Sequence, residues 1–130
     1  MASVKTRQSN KKYQDGPHRE AFRDGKLAIV GNYADGKKTG TWKYYFRNGR
    51  LRATGKYLAG VMQGPWKWNR ENGQPLQTGR FKDGKQSGLW KRYRADGQPY
   101  DEGKYIAGKK TGVWKYYDAN GKLARTKAYG

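Results

Sequence analysis

Lysine or arginine returns at a fixed step of 24 residues in two columns, Lys43, Lys67, Lys91 and Lys115 in one, Lys56, Arg80 and Lys104 in the other. A row of fixed cations attracts and holds an extended anion without making or breaking a bond. Arg47, Arg50 and Arg52 add charge in the first full unit, and Tyr45, Tyr93 and Tyr117 interleave with the columns. Cations alternating with aromatic rings are also the equipment of single-stranded nucleic acid binding. For any one lysine the plainer reading is a solubilising charge that keeps strand edges from pairing. The whole chain favours a polyanionic partner, because 29 Lys and Arg face 10 Asp and Glu, a net charge of +19.

Bond-making chemistry finds little to work with. Gly31 to Thr39, GNYADGKKT, nearly matches the phosphate-cradling pattern G-x-x-x-x-G-K-[ST], but Lys38 stands where the hydroxyl residue belongs. Such a loop needs a strand before it and a helix after it, and the same near miss recurs at Gly79 to Ser87 and Gly103 to Thr111. His18 is the only histidine and cysteine is absent, so no metal-ligand set is expected, nor any cofactor. Asp101 and Glu102 are adjacent on a strand and point to opposite faces. No acid–base pair or activated nucleophile emerges, and the chain reads as a non-enzyme.

What positions the cations is a repeat. GKKTGTWKYY, from Gly36 to Tyr45, and GKKTGVWKYY, from Gly108 to Tyr117, agree at nine of ten letters. Between them Trp42, Trp66, Trp90 and Trp114 keep the same step. Every glycine but Gly130 falls in one of four columns, headed by Gly16, Gly25, Gly31 and Gly36. Asn48–Gly49 and its equivalents predict five hairpins closed by two-residue type I′ turns. That register sets Arg47 opposite Arg50, Phe46 opposite Leu51, Tyr44 opposite Ala53 and Trp42 opposite Gly55. One face then carries Trp42, Tyr44, Phe46, Leu51, Ala53, Gly55 and Tyr57. The other carries Thr41, Lys43, Tyr45, Arg47, Arg50, Arg52, Thr54 and Lys56. The glycine opposite each tryptophan leaves room for its ring across the strand pair. The expected architecture is all-β: an elongated single-layer antiparallel meander of stacked β-hairpins, about ten strands, with successive units about 9.6 Å apart. A disordered basic tail is expected over 1–15. The repeat domain is expected over 16–130, with a degenerate first unit at 16–39 and units from 40, 64, 88 and 112. Pro75 and Pro99 should open return strands, where a ladder donor is dispensable.

The pattern G-x-Y-x-x-G-x-x-x-G-x-W-K-x-Y, closed by an N-G or D-G turn, resembles the MORN repeat, in its 24-residue bacterial variant, over residues 16 to 129. The resemblance implies a single-layer sheet and a non-enzymatic scaffold. Similar proteins are often labelled antitoxins, and others are associated with acidic lipids. The expected function is binding of an acidic partner protein, as an antitoxin or immunity-type protein, through the basic face. Nucleic acid, an anionic membrane surface and a second copy of the chain are the alternative partners. The lack of cysteine, and of an apolar leader in MASVKTRQSNKKYQ, points to the cytoplasm.

Overall fold

The computed structural model describes residues 14–130, so most of the expected tail lies outside the described residues. Ten strands follow one another: β1 (Gly16–Ala21), β2 (Leu27–Ala34), β3 (Lys37–Tyr45), β4 (Leu51–Leu58), β5 (Val61–Asn69), β6 (Pro75–Lys82), β7 (Lys85–Tyr93), β8 (Pro99–Ile106), β9 (Lys109–Tyr117) and β10 (Leu123–Tyr129). They form one open antiparallel sheet in chain order, the expected meander. Pro75 and Pro99 are the first residues of β6 and β8, where no ladder donor is required of them.

A single layer has no second sheet to pack against, so it must bury apolar surface against itself. Trp42, Trp66, Trp90 and Trp114 are 1–3% exposed although nothing lies above them but their neighbours on the same face. Their rings belong to one edge-to-face ladder: Tyr33, Trp42, Tyr57, Trp66, Phe81, Trp90, Tyr105, Trp114, Tyr129. Successive centroids lie 5.1–6.3 Å apart, within the range such pairs prefer.

The glycine that receives each ring is not the one expected. Trp42 does pair with Gly55 in register, as the hairpin reading requires. Its ring, however, lies flat over Gly31 on the preceding strand, where an added Cβ would meet it at 2.0 Å. Trp66 covers Gly55, Trp90 covers Gly79 and Trp114 covers Gly103 in the same way. Each of Trp66, Trp90 and Trp114 also donates its indole N–H to the carbonyl of the residue after that glycine, Lys56, Arg80 and Lys104, at 3.1–3.2 Å. The tryptophan therefore joins its hairpin to the one before it. A bulge makes this reach possible. From the pair Val30↔Lys43 to the pair Asn32↔Thr39, β2 advances two residues and β3 advances four. Gly40 sits in that bulge at φ +68°, a conformation few side chains accept.

The turns also exchange places relative to expectation. At Asn48–Gly49 the loop has three residues, because the Phe46 N–H donates to the Arg50 carbonyl and the Gly49 N–H to the Phe46 carbonyl, both at 2.9 Å. Only the glycine has positive φ, +89°. This is a type I turn with a glycine bulge. The asparagine has another use: its Oδ1 accepts the Arg50 N–H at 2.9 Å, and Asp24, Asn72 and Asp96 do the same in their turns. Arg47 therefore does not face Arg50, and Leu51 lies opposite Tyr45 rather than Phe46. A further bulge at Arg52 restores the expected pairs Tyr44↔Ala53 and Trp42↔Gly55. The two-residue type I′ turns are the links between hairpins. Asp35–Gly36, Ala59–Gly60, Asp83–Gly84 and Ala107–Gly108 all have positive φ at both positions.

Two stability changes follow. Gly79→Ala drives Trp90 off its seat and should cost about 3 kcal/mol or more in urea denaturation; a loss below about 1 kcal/mol would show that the ring is not seated there. Ala59 holds a left-handed conformation, φ +50°, without help from its side chain. Ala59→Asn should therefore stabilise by about 0.5–1 kcal/mol, read as a higher melting temperature.

Candidate functional site

Because the aromatic ladder takes one face, the alternate residues of every strand form the other. Read across the sheet, its register aligns Lys43, Thr54, Lys67, Thr78, Lys91, Glu102 and Lys115 in one row, one residue per strand from β3 to β9. Beside it, Lys56 pairs with Thr41, Arg80 with Pro65 and Lys104 with Leu89. Cations therefore occupy every second strand in each row, about 9.6 Å apart. All seven are exposed except Lys91, which is half-buried. Between the rows runs an open trough of about 710 Å³, lined by Lys56, Lys67, Arg80 and Lys91 together with Pro65, Leu89 and Tyr93. Leu89 is 45% exposed. The surface thus interleaves apolar contact with charge.

The other expected contributors go elsewhere. Arg47 lies over the Phe22 ring at 5.6 Å, against the preceding turn. Arg50 donates from Nη1 to the Glu71 carbonyl at 3.2 Å, beside Asn48 Nδ2, which donates to the same oxygen at 2.8 Å. These two arginines bind neighbouring turns together instead of thickening the basic row. Arg52 packs over Phe46 at 6.0 Å, because the bulge at Arg52 breaks the alternation that would have kept it with the lysines. Tyr93 lines the trough. Tyr45 lies opposite Leu51, near the turn. Tyr117 donates its hydroxyl to Glu102 Oε1 at 3.1 Å, and its pKa is raised, first by burial and then by that carboxylate.

Glu102 interrupts the row. It pairs with Lys91 on one side and Lys115 on the other, where the equivalent positions in earlier units are Thr54 and Thr78. Its neighbour Asp101 points to the aromatic face, as adjacent strand residues must, and is 1% exposed. There Arg92 grips it with two bonds, Nε to Oδ1 at 3.0 Å and Nη2 to Oδ2 at 2.6 Å; the pair raises the arginine's pKa. That ion pair was unread in the sequence, although Arg92 and Asp101 fall at positions held by Trp68 and Gln77 one unit earlier. Lys38 was unread too: it is caged by Trp42, Tyr44 and Tyr57 at 4.8–5.6 Å and is a cation that the aromatic face consumes.

The phosphate-loop frame from Gly31 to Thr39 is the end of β2, a turn and the start of β3, with no helix to complete a cradle. His18 bonds Glu20 at 2.8 Å and packs at the end of the ladder, edge-to-face with Tyr33 and tilted against Trp42. Among the described residues no three His, Cys, Asp or Glu side chains cluster as a metal site would need.

The MORN repeat variant model matches residues 38–59, 62–83 and 110–129, which are the hairpins β3–β4, β5–β6 and β9–β10. The chain belongs to the MORN repeat variant family. The MORN unit left unmatched between 84 and 109 is the one that carries Arg92, Asp101 and Glu102. No curated protein matches the chain. Among solved structures, a TarM mutant from S. aureus, in complex with fondaparinux, α-GlcNAc-glycerol and UDP, is 12% identical at TM-score 0.44, over 95% of this chain and 24% of that one. A second structure of TarM is 12% identical at 0.43, again over 95% and 24%. A GtfA/B complex bound to UDP and GlcNAc is 15% identical at 0.34, over 89% and 23%. The MORN chain thus spans about a quarter of the length of those proteins, and likenesses this distant carry no argument about its activity.

Glu102→Thr would restore the repeat and join Lys91 to Lys115 without a break. The variant should leave heparin resin, a generic polyanion, at higher salt than the native chain. Unchanged elution would mean that the row does not act as one surface.

Proposed function

We propose that this MORN chain is a non-enzymatic scaffold whose basic face binds an extended acidic segment of a partner protein. One observation carries the reading: two parallel rows present seven cations and a single carboxylate, Glu102, and four of those cations line a trough together with Pro65 and exposed Leu89. The charge selects an acidic ligand and sets its approach. The apolar residues set among the cations reward side chains placed between the acids, which a protein segment supplies and a bare polyanion does not. An antitoxin or immunity-type protein in the cytoplasm would use such a face to occupy an acidic toxin at equal stoichiometry.

Nucleic acid is the less favoured ligand because of the rings. Stacking needs exposed aromatic platforms, whereas Tyr45, Tyr93 and Tyr117 are half-buried and Tyr117 is held by Glu102.

The test compares two ligands of equal charge at about 150 mM salt, where loose surface attraction is screened. One is a glutamate-rich peptide with leucine interspersed; the other is an oligodeoxythymidine. The peptide should bind more tightly. Replacing Lys43, Lys67 and Lys91 together by Gln should weaken it by about tenfold or more. Tighter binding of the oligonucleotide would sink the protein-segment reading. Equal binding of the peptide by the triple variant would remove the basic face from the function altogether.

A further inference from the structure

We infer that Arg70, Arg92 and Arg94 form a second anion site, apart from the basic rows, which takes a phosphate monoester. They line a pocket of about 360 Å³ with Leu76 and Tyr100. This reading does not rest on the function proposed for the trough.

Arg70 and Arg94 open equivalent turns. Each donates from Nη2 at 2.9 Å to a backbone carbonyl of the next hairpin, Tyr93 and Tyr117 respectively. That bond fixes where each guanidinium stands. The Nε–H of each is buried and has no acceptor, which is unusual for a buried donor. The fold does not demand arginine at these turns, since the corresponding residues of the first two turns are Phe22 and Phe46. Two arginines with buried donors left over are therefore a property of this part of the array, not of the repeat.

The charge balance identifies the ligand. Three guanidiniums surround the pocket, and Asp101 neutralises one of them through its two bonds to Arg92. Two positive charges remain, which a phosphate monoester dianion would balance and a single carboxylate would not. Planar guanidiniums suit an oxyanion, and Arg70 and Arg94 each keep donors beyond the one that a carbonyl takes, a fixed fork that the lysines of the basic rows do not provide. Arg92 and Arg94 also lie over the Tyr100 ring, both at 5.0 Å. Tyr100 is 41% exposed, and with Leu76 it gives an apolar wall for the organic group that carries the phosphate.

The probe is phenyl phosphate, with benzoate as the carboxylate control, at about 150 mM salt. In the native chain the side-chain Nε–H resonances of Arg70 and Arg94 should shift saturably with phenyl phosphate, and benzoate should bind about tenfold more weakly. Arg70→Gln combined with Arg94→Gln should weaken phenyl phosphate by about tenfold or more. Lys67→Gln with Lys91→Gln removes the same charge and should change binding by less than about threefold. Equal losses in the two double variants would reduce the site to general electrostatics and overturn the proposal. Unmoved Nε–H resonances in the native chain would overturn it even if the arginine variants failed to fold, and benzoate binding as tightly as phenyl phosphate would reject the phosphate assignment.

Discussion

The fold depends on an indole ring lying on a bare stretch of backbone. A one-layer sheet exposes both faces to water, so apolar side chains standing upright on it would be only half covered. Laying the tryptophan flat over the glycine of the preceding strand solves this locally. The ring loses its water on one side to the backbone and at its edges to the tyrosines or phenylalanine beside it. Its N–H finds a carbonyl on the strand that it covers. Each such contact ties one hairpin to the last, so cohesion is built from nearest-neighbour steps along the array. A side chain under the ring would displace it, which is why Gly31, Gly55, Gly79 and Gly103 are glycine for space rather than for backbone freedom.

The same constraint divides labour between the faces. The ladder occupies one side completely and recruits cations into it, as with Lys38 and with Lys110, which lies 4.5 Å from the Trp114 ring centre. The other side owes the fold little. Thr54 helps there by donating to the Trp42 carbonyl, but among the described residues the side chains of the lysines in the two rows make no hydrogen bond or ion pair that holds the sheet. Charge of one sign gathered on a face with no structural duty costs stability through mutual repulsion. Its recurrence at seven positions is the feature on which the proposed binding rests.

How far the sequence could be read follows from the kinds of information it holds. The 24-residue step, the all-β meander and the Trp42↔Gly55 pairing were legible, because they rest on residue type and period alone. The turn geometry was not. Asn–Gly serves both a two-residue type I′ loop and a three-residue loop with a glycine bulge, and the choice lies in the backbone bonds of Phe46 and Arg50. The true type I′ turns were disguised, since Ala59 and Ala107 carry no mark of a left-handed residue. Those bulges then misdirect any alternation counted through them. Arg52, beside a turn, therefore packs over Phe46, while Lys43 and Lys67, further from a turn, keep the alternation counted from Trp42 and Trp66.

Column glycines illustrate the limit further. The sequence shows four columns with equal clarity, yet one gives space to a ring, one sits in a strand bulge, one closes the hairpins and one closes the links between them. Identical letters at identical spacing thus answer four separate physical needs, and only the path of the backbone tells them apart. The converse holds for departures from the repeat. Arg70, Arg92, Arg94 and Asp101 replace residues that the ladder and turns would otherwise use, so no period predicts them. A repeat reveals its architecture where it is regular. Where it breaks, residues no longer answer to the fold alone, and in this chain three of the breaks, Arg70, Arg92 and Arg94, line one pocket.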